Sequence, residues 1–253
     1  MCYLWHSMNK RYIIIPDVHG RPFWHAAAKD VPDTPVIFLG DYIDPYDYEG
    51  IPAEEVFPCF EEIIELKRAY PNAVTLLLGN HDLHYVDREL EGSRFDNLHA
   101  NRNRAAILGN ADLFDMAHIV TVGATKLLFT HAGVQAGWLT RHRAIFDLGG
   151  YKDLADCLND MWHDETRRPA LLKALEDAPY SRWGNCRYGS PIWNDVDDFE
   201  QGKEELPGYW QIFGHSQLEH DPVITDYFAC LDCRRPFLLT EDGIIEEFHK
   251  PDM

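Results

Sequence analysis

The chain has 253 residues, 45% of them hydrophobic and 13% aromatic, with no Gly/Ser-rich or Pro-rich tract, so it can bury a sizeable core and is not a disordered polymer. A formal net charge of -19 argues against non-specific binding to long nucleic acid or to an anionic membrane, both of which need a basic footprint. No apolar run approaches the roughly 18 to 20 residues of a membrane span, and Met1 to Ser7 lacks the basic start and long apolar stretch of a secretory signal, which points to the cytoplasm.

In chain order, the leading segment is given no function, and Tyr12 to Ile15 reads as a buried strand running into Asp17-Val18-His19-Gly20. A helix follows near Phe23 to Lys29. A second strand, Val36 to Leu39, runs into Gly40-Asp41-Tyr42-Ile43-Asp44. Val56, Phe60, Ile63, Ile64 and Leu66 then give a helical stripe over Ala53 to Tyr70, and a third strand, Ala73 to Leu78, ends at Gly79-Asn80-His81-Asp82. This βαβαβ order is that of a layered sheet with covering helices. The pattern is helical and polar to about Leu108. Ile119 to Val122 and Leu127 to Thr130 flank Gly123-Ala124 as a hairpin whose second strand leads to His131-Ala132-Gly133. Two helical stretches, Lys152 to His163 and Thr166 to Asp177, precede an aromatic, turn-rich stretch through Trp193 and an acidic run, Asp195 to Glu205, that reads as a solvated loop. Tyr209 to Phe213 leads to Gly214-His215, and the remainder reads as strands over Val223 to Thr225, Tyr227 to Leu231, Phe237 to Thr240 and Ile244 to Glu247.

Loops leaving the carboxyl ends of strands are where ligands converge in an open α/β sheet, so the five motifs should meet in space. Asp, His and Asn without thiolate suit Mn²⁺, Fe, Zn²⁺ or Mg²⁺. Two such ions, about 3.5 to 4 Å apart, can clamp a phosphoryl group, and Asp41 is the carboxylate placed to bridge them. One Asp-x-His-Gly or Gly-Asp alone is ordinary turn chemistry; Gly-Asn-His-Asp after a strand is a stronger signal, and all five in order specify a dinuclear site. His6, His25, His99, His118, His142, His163, His220 and His249 have no partner motif and read as surface or core residues, and Trp162-His163-Asp164-Glu165 reads as a helix end. Six cysteines in a core-rich chain read as thiols, Cys59 and Cys157 in the core and Cys230 and Cys233 on a strand edge.

On these motifs, spanning Asp17 to His215, the chain resembles a calcineurin-like metallophosphoesterase, nearer the serine/threonine phosphoprotein phosphatase branch than the nuclease or purple acid phosphatase branches. The resemblance implies a four-layer α/β sandwich of two mixed sheets flanked by helices, with the dimetal site at one edge. It implies a first ion held by Asp17, His19 and Asp41 and a second held by Asp41, Asn80, His131 and His215. It further implies that His81 protonates the leaving oxygen and that Asp44 orients it, a carboxylate that would also raise the imidazole pKa. The reaction implied is hydrolysis of a phosphate monoester or small phosphoanhydride by a metal-activated hydroxide.

Departures from the pattern bear on the substrate. The phosphoprotein phosphatases follow the second motif's last Asp with Arg and Gly, where this chain has Pro45 and Tyr46, and no Arg lies between Trp193 and His215. Arg182 or Arg187 can take over phosphate binding beside Asn80, or can be plain surface arginines. Gln217 stands where many family members place a further histidine ligand, and either coordinates or leaves that position to water. Gly79 to His84 is similar to the third motif of symmetrical diadenosine tetraphosphatases, or Leu83 and His84 simply begin a helix; Arg102 and Arg104 would meet the extra phosphates of such a dinucleotide or, the reading preferred, form a solvated helix start. The chain is expected to be one domain, 1–253, with an insertion or cap over 134–208 whose Trp138, Trp162, Trp183, Tyr188 and Trp193 serve either as core or as stacking surface. The expected partners are a phosphorylated small molecule, a nucleotide or a phosphoprotein. A phosphodiesterase and a phosphate-binding module without turnover are the other readings.

Overall fold

The computed structural model describes residues 11–146, 148–202 and 205–249. The leading segment with Cys2 and His6, and Lys203 and Glu204 of the acidic run, lie outside them. The strands β1 (Tyr12–Ile15), β2 (Val36–Phe38), β3 (Val74–Leu77) and β4 (Phe114–Asp115) run parallel to one another. A second sheet holds β5 (His118–Val122), β6 (Thr125–Phe129), β7 (Trp210–Phe213), β8 (Val223–Ile224) and β9 (Phe228–Cys230), with β6, β7 and β9 parallel and β5 and β8 antiparallel. The chain then returns through β10 (Phe237–Leu239) and β11 (Ile245–Glu247), giving strand orders β11-β10-β1-β2-β3-β4 and β5-β6-β7-β9-β8.

The inner strands read as unbroken apolar runs because both of their faces are covered. In β1, Ile13 and Ile15 point to the helix side and share a cluster with Val56, Phe60 and Ile63 of a long helix, while Ile14 points to the other sheet. Ile14, Ile37 and Leu77 there meet Leu127, Phe129 and Ile212, so the inter-sheet core is built from alternate residues of strands whose ends carry the motifs. The helices are α1 (His25–Ala28), α2 (Ala53–Ala69), α3 (Asn80–Leu83), α4 (Ala100–Leu108), α5 (Ala136–Arg141), α6 (Leu154–His163), α7 (Arg168–Leu175) and α8 (Val196–Gly202). The helices α2, α6 and α7 share the cluster on the first sheet's outer side, and α8 lays Val196 and Phe199 on Phe213 and Phe228 outside the second. The layers are therefore helix, sheet, sheet, helix.

Two local expectations are corrected. The acidic run is mostly the helix α8, because Val196 and Phe199 are three apart and form an apolar face that the high charge of the segment conceals. Cys230 lies in β9, which is flanked on both sides by β7 and β8, and Cys233 follows it, so the pair does not sit on a sheet edge. No disulfide joins the described cysteines. The aromatics of 134–208 divide by use: Trp138 and Trp162 are fully buried in the main core, Tyr188 and Trp193 pack partly against it, and Trp183 is 95% exposed.

Candidate metal centre

Each motif leaves the carboxyl end of a parallel strand: β1 delivers Asp17 and His19, β2 delivers Asp41 and Asp44, β3 delivers Asn80 and His81, β6 delivers His131 and β7 delivers His215. The two sheets bring these ends to one edge. The donor atoms of Asp17, His19 and Asp41 lie within 4.8 Å of one another, as do those of Asp41, His131 and His215, and Asp41 belongs to both groups.

Hydrogen bonding decides which ring nitrogen of each histidine faces inward. A carbonyl can only accept, so His19 Nδ1 donates to the Ile43 carbonyl at 2.7 Å and His131 Nδ1 donates to the Leu39 carbonyl at 2.9 Å. Their Nε2 lone pairs are thereby aimed at the centre. His19 Nε2 lies 3.6 Å from Asp41 Oδ2 and 3.9 Å from Asp17 Oδ2. His131 Nε2 lies 3.5 Å from Asp41 Oδ2 and 3.1 Å from both Asn80 Oδ1 and His215 Nδ1. Carboxylate, amide and imidazole donor atoms gathered this closely fit cations, and an N–H on the far side of a ligating imidazole is the usual supporting bond. The other oxygen of Asp41 accepts the His81 backbone N–H at 2.9 Å, which turns Oδ2 toward both groups.

The site is buried and strained. Burial pushes the Asp17 carboxyl up to about 6 and Asp41 up to about 8, and drives His19 and His215 well below the ordinary imidazole value, so the imidazoles are held in their ligating, neutral form. Among the described residues, His19, Asp41, Asp44, Arg94 and His215 all have φ between 45° and 63°, a region that costs side-chain-bearing residues about 1–3 kcal/mol. Two glycines are required by contact alone: a Cβ on Gly79 would stand 2.1 Å from Asp41 Oδ1, and one on Gly214 would stand 2.4 Å from Asp17 Oδ1. Asp82 joins the β2 and β3 loops, accepting from the backbone N–H groups of Gly79, Asp41 and Tyr42 at 2.8, 2.8 and 3.0 Å.

Beside the ligand cluster, Asp44 Oδ2 accepts from His81 Nδ1 at 3.1 Å and His84 Nε2 at 2.7 Å, and Oδ1 accepts from Tyr85 Oη at 2.5 Å. Asp44 pulls the His81 pKa upward as expected, but burial dominates and Arg94 adds to it, leaving His81 at about 4 rather than raised. His84, fully buried, reads in the sequence either as the end of the Gly79 to His84 run or as the start of a helix, with no role of its own; its three-residue spacing from His81 is the available signal. Arg94 belongs to no motif at all. Its Nη2 donates to His81 Nε2 at 2.7 Å, its Nη1 donates to the Asp44 carbonyl, and its guanidinium lies 3.7 Å from the Tyr46 ring centre. Asp232 is likewise outside every motif: it is 3% exposed, its Oδ1 has no hydrogen-bond partner among the described residues, and burial together with the charge of Asp17 raises its pKa well above the ordinary value.

The remaining sequence candidates divide. Arg182 reaches the edge of the centre, donating to Ser216 next to His215 at 2.9 Å while paired with Asp195 at 2.7 Å. Arg187 lies 5.2 Å from the Tyr188 ring centre. Gln217 is exposed and its amide donates to Tyr48 Oη at 3.2 Å, outside both ligand groups, because Ser216 turns inward to Val196 and Arg182 and the next residue faces out. Arg104 donates to the Tyr85 and Val86 carbonyls, and Arg102 lies 4.1 Å from the Phe57 ring centre.

The calcineurin-like phosphoesterase family profile matches residues 10–218. The chain is 26% identical over 240 residues to the serine/threonine-protein phosphatase 6 catalytic subunit of Drosophila melanogaster, covering 89% of this chain and 63% of that protein. It is 24% identical over 182 residues to a protein phosphatase 2A catalytic subunit of Dictyostelium discoideum, covering 66% and 54%. The chain thus spans 54 to 63% of the length of these curated relatives. A solved protein serine/threonine phosphatase of Saccharomyces cerevisiae has the same fold at a TM-score of 0.54 and 13% identity, covering 98% of this chain and 82% of that one.

Proposed function

The chain belongs to the calcineurin-like phosphoesterase family, and on that premise we propose that it is a dinuclear-metal phosphohydrolase cleaving a phosphate monoester or a small phosphoanhydride. The observation that carries the reading is the sharing of Asp41 between two ligand groups, in each of which one histidine, His19 or His131, turns an Nε2 lone pair to it. Asp17 and His19 would hold one divalent cation, Asn80, His131 and His215 the other, with Asp41 between them; Mn, Fe and Zn suit the donor set and Mg²⁺ is compatible. Two such cations, when bound, supply an activated water and neutralise phosphoryl charge.

The chain's own residues would do the rest. His81, fixed by Asp44 at Nδ1, turns Nε2 to the Arg94 guanidinium; in the ring's doubly protonated form that nitrogen would be placed to hand a proton to the leaving oxygen. Asp44 is held by His84 and Tyr85, so the proton donor rests on a buried, fully hydrogen-bonded carboxylate. The relatives named as serine/threonine-protein phosphatases favour a phosphoprotein substrate, while the missing arginine after Asp44 favours a smaller one.

The test is turnover by metal-stripped protein resupplied with Mn²⁺, Zn²⁺, Fe²⁺ or Mg²⁺ on p-nitrophenyl phosphate, bis-p-nitrophenyl phosphate, diadenosine tetraphosphate and a phosphopeptide. Metal-dependent hydrolysis of the monoester or anhydride, lost by roughly 100-fold or more in Asp41→Asn, is the expected result. Hydrolysis of the diester alone would make it a phosphodiesterase, and two ions bound without any turnover would make it a phosphate-binding module.

A further inference from the structure

Among the described residues, four arginines stand around the centre, and three are already matched to carboxylates. Arg21 Nε lies 2.8 Å from Glu49, Arg182 Nε lies 2.7 Å from Asp195, and Arg234 Nη1 lies 3.8 Å from Glu49. Arg94 has no ion pair with a carboxylate among the described residues. Its contacts are a carbonyl, a ring nitrogen and the face of Tyr46. A guanidinium carries a full charge and five donors in a rigid fork, so these neutral partners leave an anion's place open.

Its position makes that place the reacting one. The Arg94 guanidinium contacts His81 Nε2 at 2.7 Å, which sets it beside the ligand cluster, and Arg94 also forms part of a cleft of about 410 Å³ with Asp44, Pro45, Phe95 and Arg102 among its walls. The backbone of Arg94 is in the left-handed region at φ 62°, like four residues of the centre itself, so the loop carries strain to aim this side chain. The substitution that removes an arginine after Asp44 puts Pro45 and Tyr46 there, and Tyr46 is the plate on which Arg94 lies.

We propose that Arg94 is the residue that grips the phosphoryl group, its guanidinium leaving His81 Nε2 for the substrate's oxygens as substrate enters. The inference rests on the phosphohydrolase reading. In the arrangement seen here one N–H of Arg94 covers the nitrogen that must face the leaving oxygen. Phosphoryl oxygens match the fork bidentately and bring an opposite charge that the neutral imidazole lacks, so substrate displaces the contact and uncovers His81 Nε2.

The test compares Mn²⁺-loaded wild type with R94A and R94K, measuring turnover of p-nitrophenyl phosphate, inhibition by inorganic phosphate, phosphate binding by calorimetry and bound metal. The expected result is phosphate affinity weaker by about tenfold or more in both variants, kcat/KM lower by roughly 100-fold, and metal content unchanged. Added guanidinium should restore part of the R94A turnover, which a merely structural role would not allow. R94K decides by the same criteria if R94A does not fold. Phosphate affinity within about twofold of wild type in a folded variant would overturn the proposal. Wild type that binds phosphate but hydrolyses nothing would sink the phosphohydrolase reading while the calorimetry still judges Arg94.

Discussion

A neutral imidazole has one donor and one lone pair, and this asymmetry gives His19 and His131 their direction: each spends its proton on a carbonyl and turns its lone pair to Asp41. The carboxylates carry the opposite burden. Asp17, Asp41 and Asp82 are pushed by burial to about 6, 8 and 8 from an ordinary value of 3.8, so in the metal-free protein each binds a proton that the unfolded chain releases. Below pH 6.5 the buried histidines, lowered from their ordinary value, oppose this; between 6.5 and 8 they are neutral in both states, the folded state holds more protons through Asp41 and Asp82, and stability falls as pH rises. Metal-free protein is therefore expected to melt at a lower temperature at pH 8 than at pH 6.5, and added Mn²⁺ to raise that temperature more at the higher pH, since ligation requires the Asp41 proton to leave. Thermal melts with and without chelator at the two pH values check this; a metal shift that is the same at both would contradict it.

Elements matter here chiefly through how closely their ends approach. Gly79 has an ordinary extended backbone at φ -103°, so its requirement is one of space: a Cβ would overlap the Asp41 carboxylate. Gly123 is the reverse case, at φ +59° in the β5–β6 turn with nothing within 4 Å of where its Cβ would be. Gly79→Ala is therefore expected to abolish binding of metal at the Asp41 groups and to cost about 1–3 kcal/mol, while Gly123→Ala costs about 1 kcal/mol and leaves metal binding intact. Metal analysis alongside denaturant unfolding separates the two. Strand elements and the hairpin were legible in the sequence because period and apolar run length fix them locally. The helix α8 was not, because two apolar residues among many acids leave a weak stripe that only contact with Phe213 and Phe228 reveals.

At the scale of the molecule, the ligands are divided between the sheets: Asp17, His19, Asp41 and Asn80 follow strands of the first, His131 and His215 strands of the second. Cations at this edge would tie together two layers otherwise joined by the apolar interface of Ile14, Ile37 and Leu77 with Leu127, Phe129 and Ile212. At about one hundred times its dissociation constant a bound ion adds roughly 2.7 kcal/mol. Hydrogen exchange is accordingly expected to show metal-dependent protection at the carboxyl ends of β1, β2, β3, β6 and β7 together. Protection confined to one sheet would contradict the division.

The sequence by itself determined the strands that carry the motifs, their order along the chain, and which residues their carboxyl ends present, because each motif is contiguous and follows its own strand; the two-residue β4 is too short to show a pattern. It could not supply Arg94, which comes from an irregular loop and is defined by Tyr46 and His81, nor the burial that overrides Asp44 and holds His81 near 4. Nor could it tell that Gln217 turns outward to Tyr48 or that Asp232 is buried beside Asp17. Those outcomes depend on desolvation and on contacts between segments far apart in the chain, which exist only once the two sheets have closed on each other.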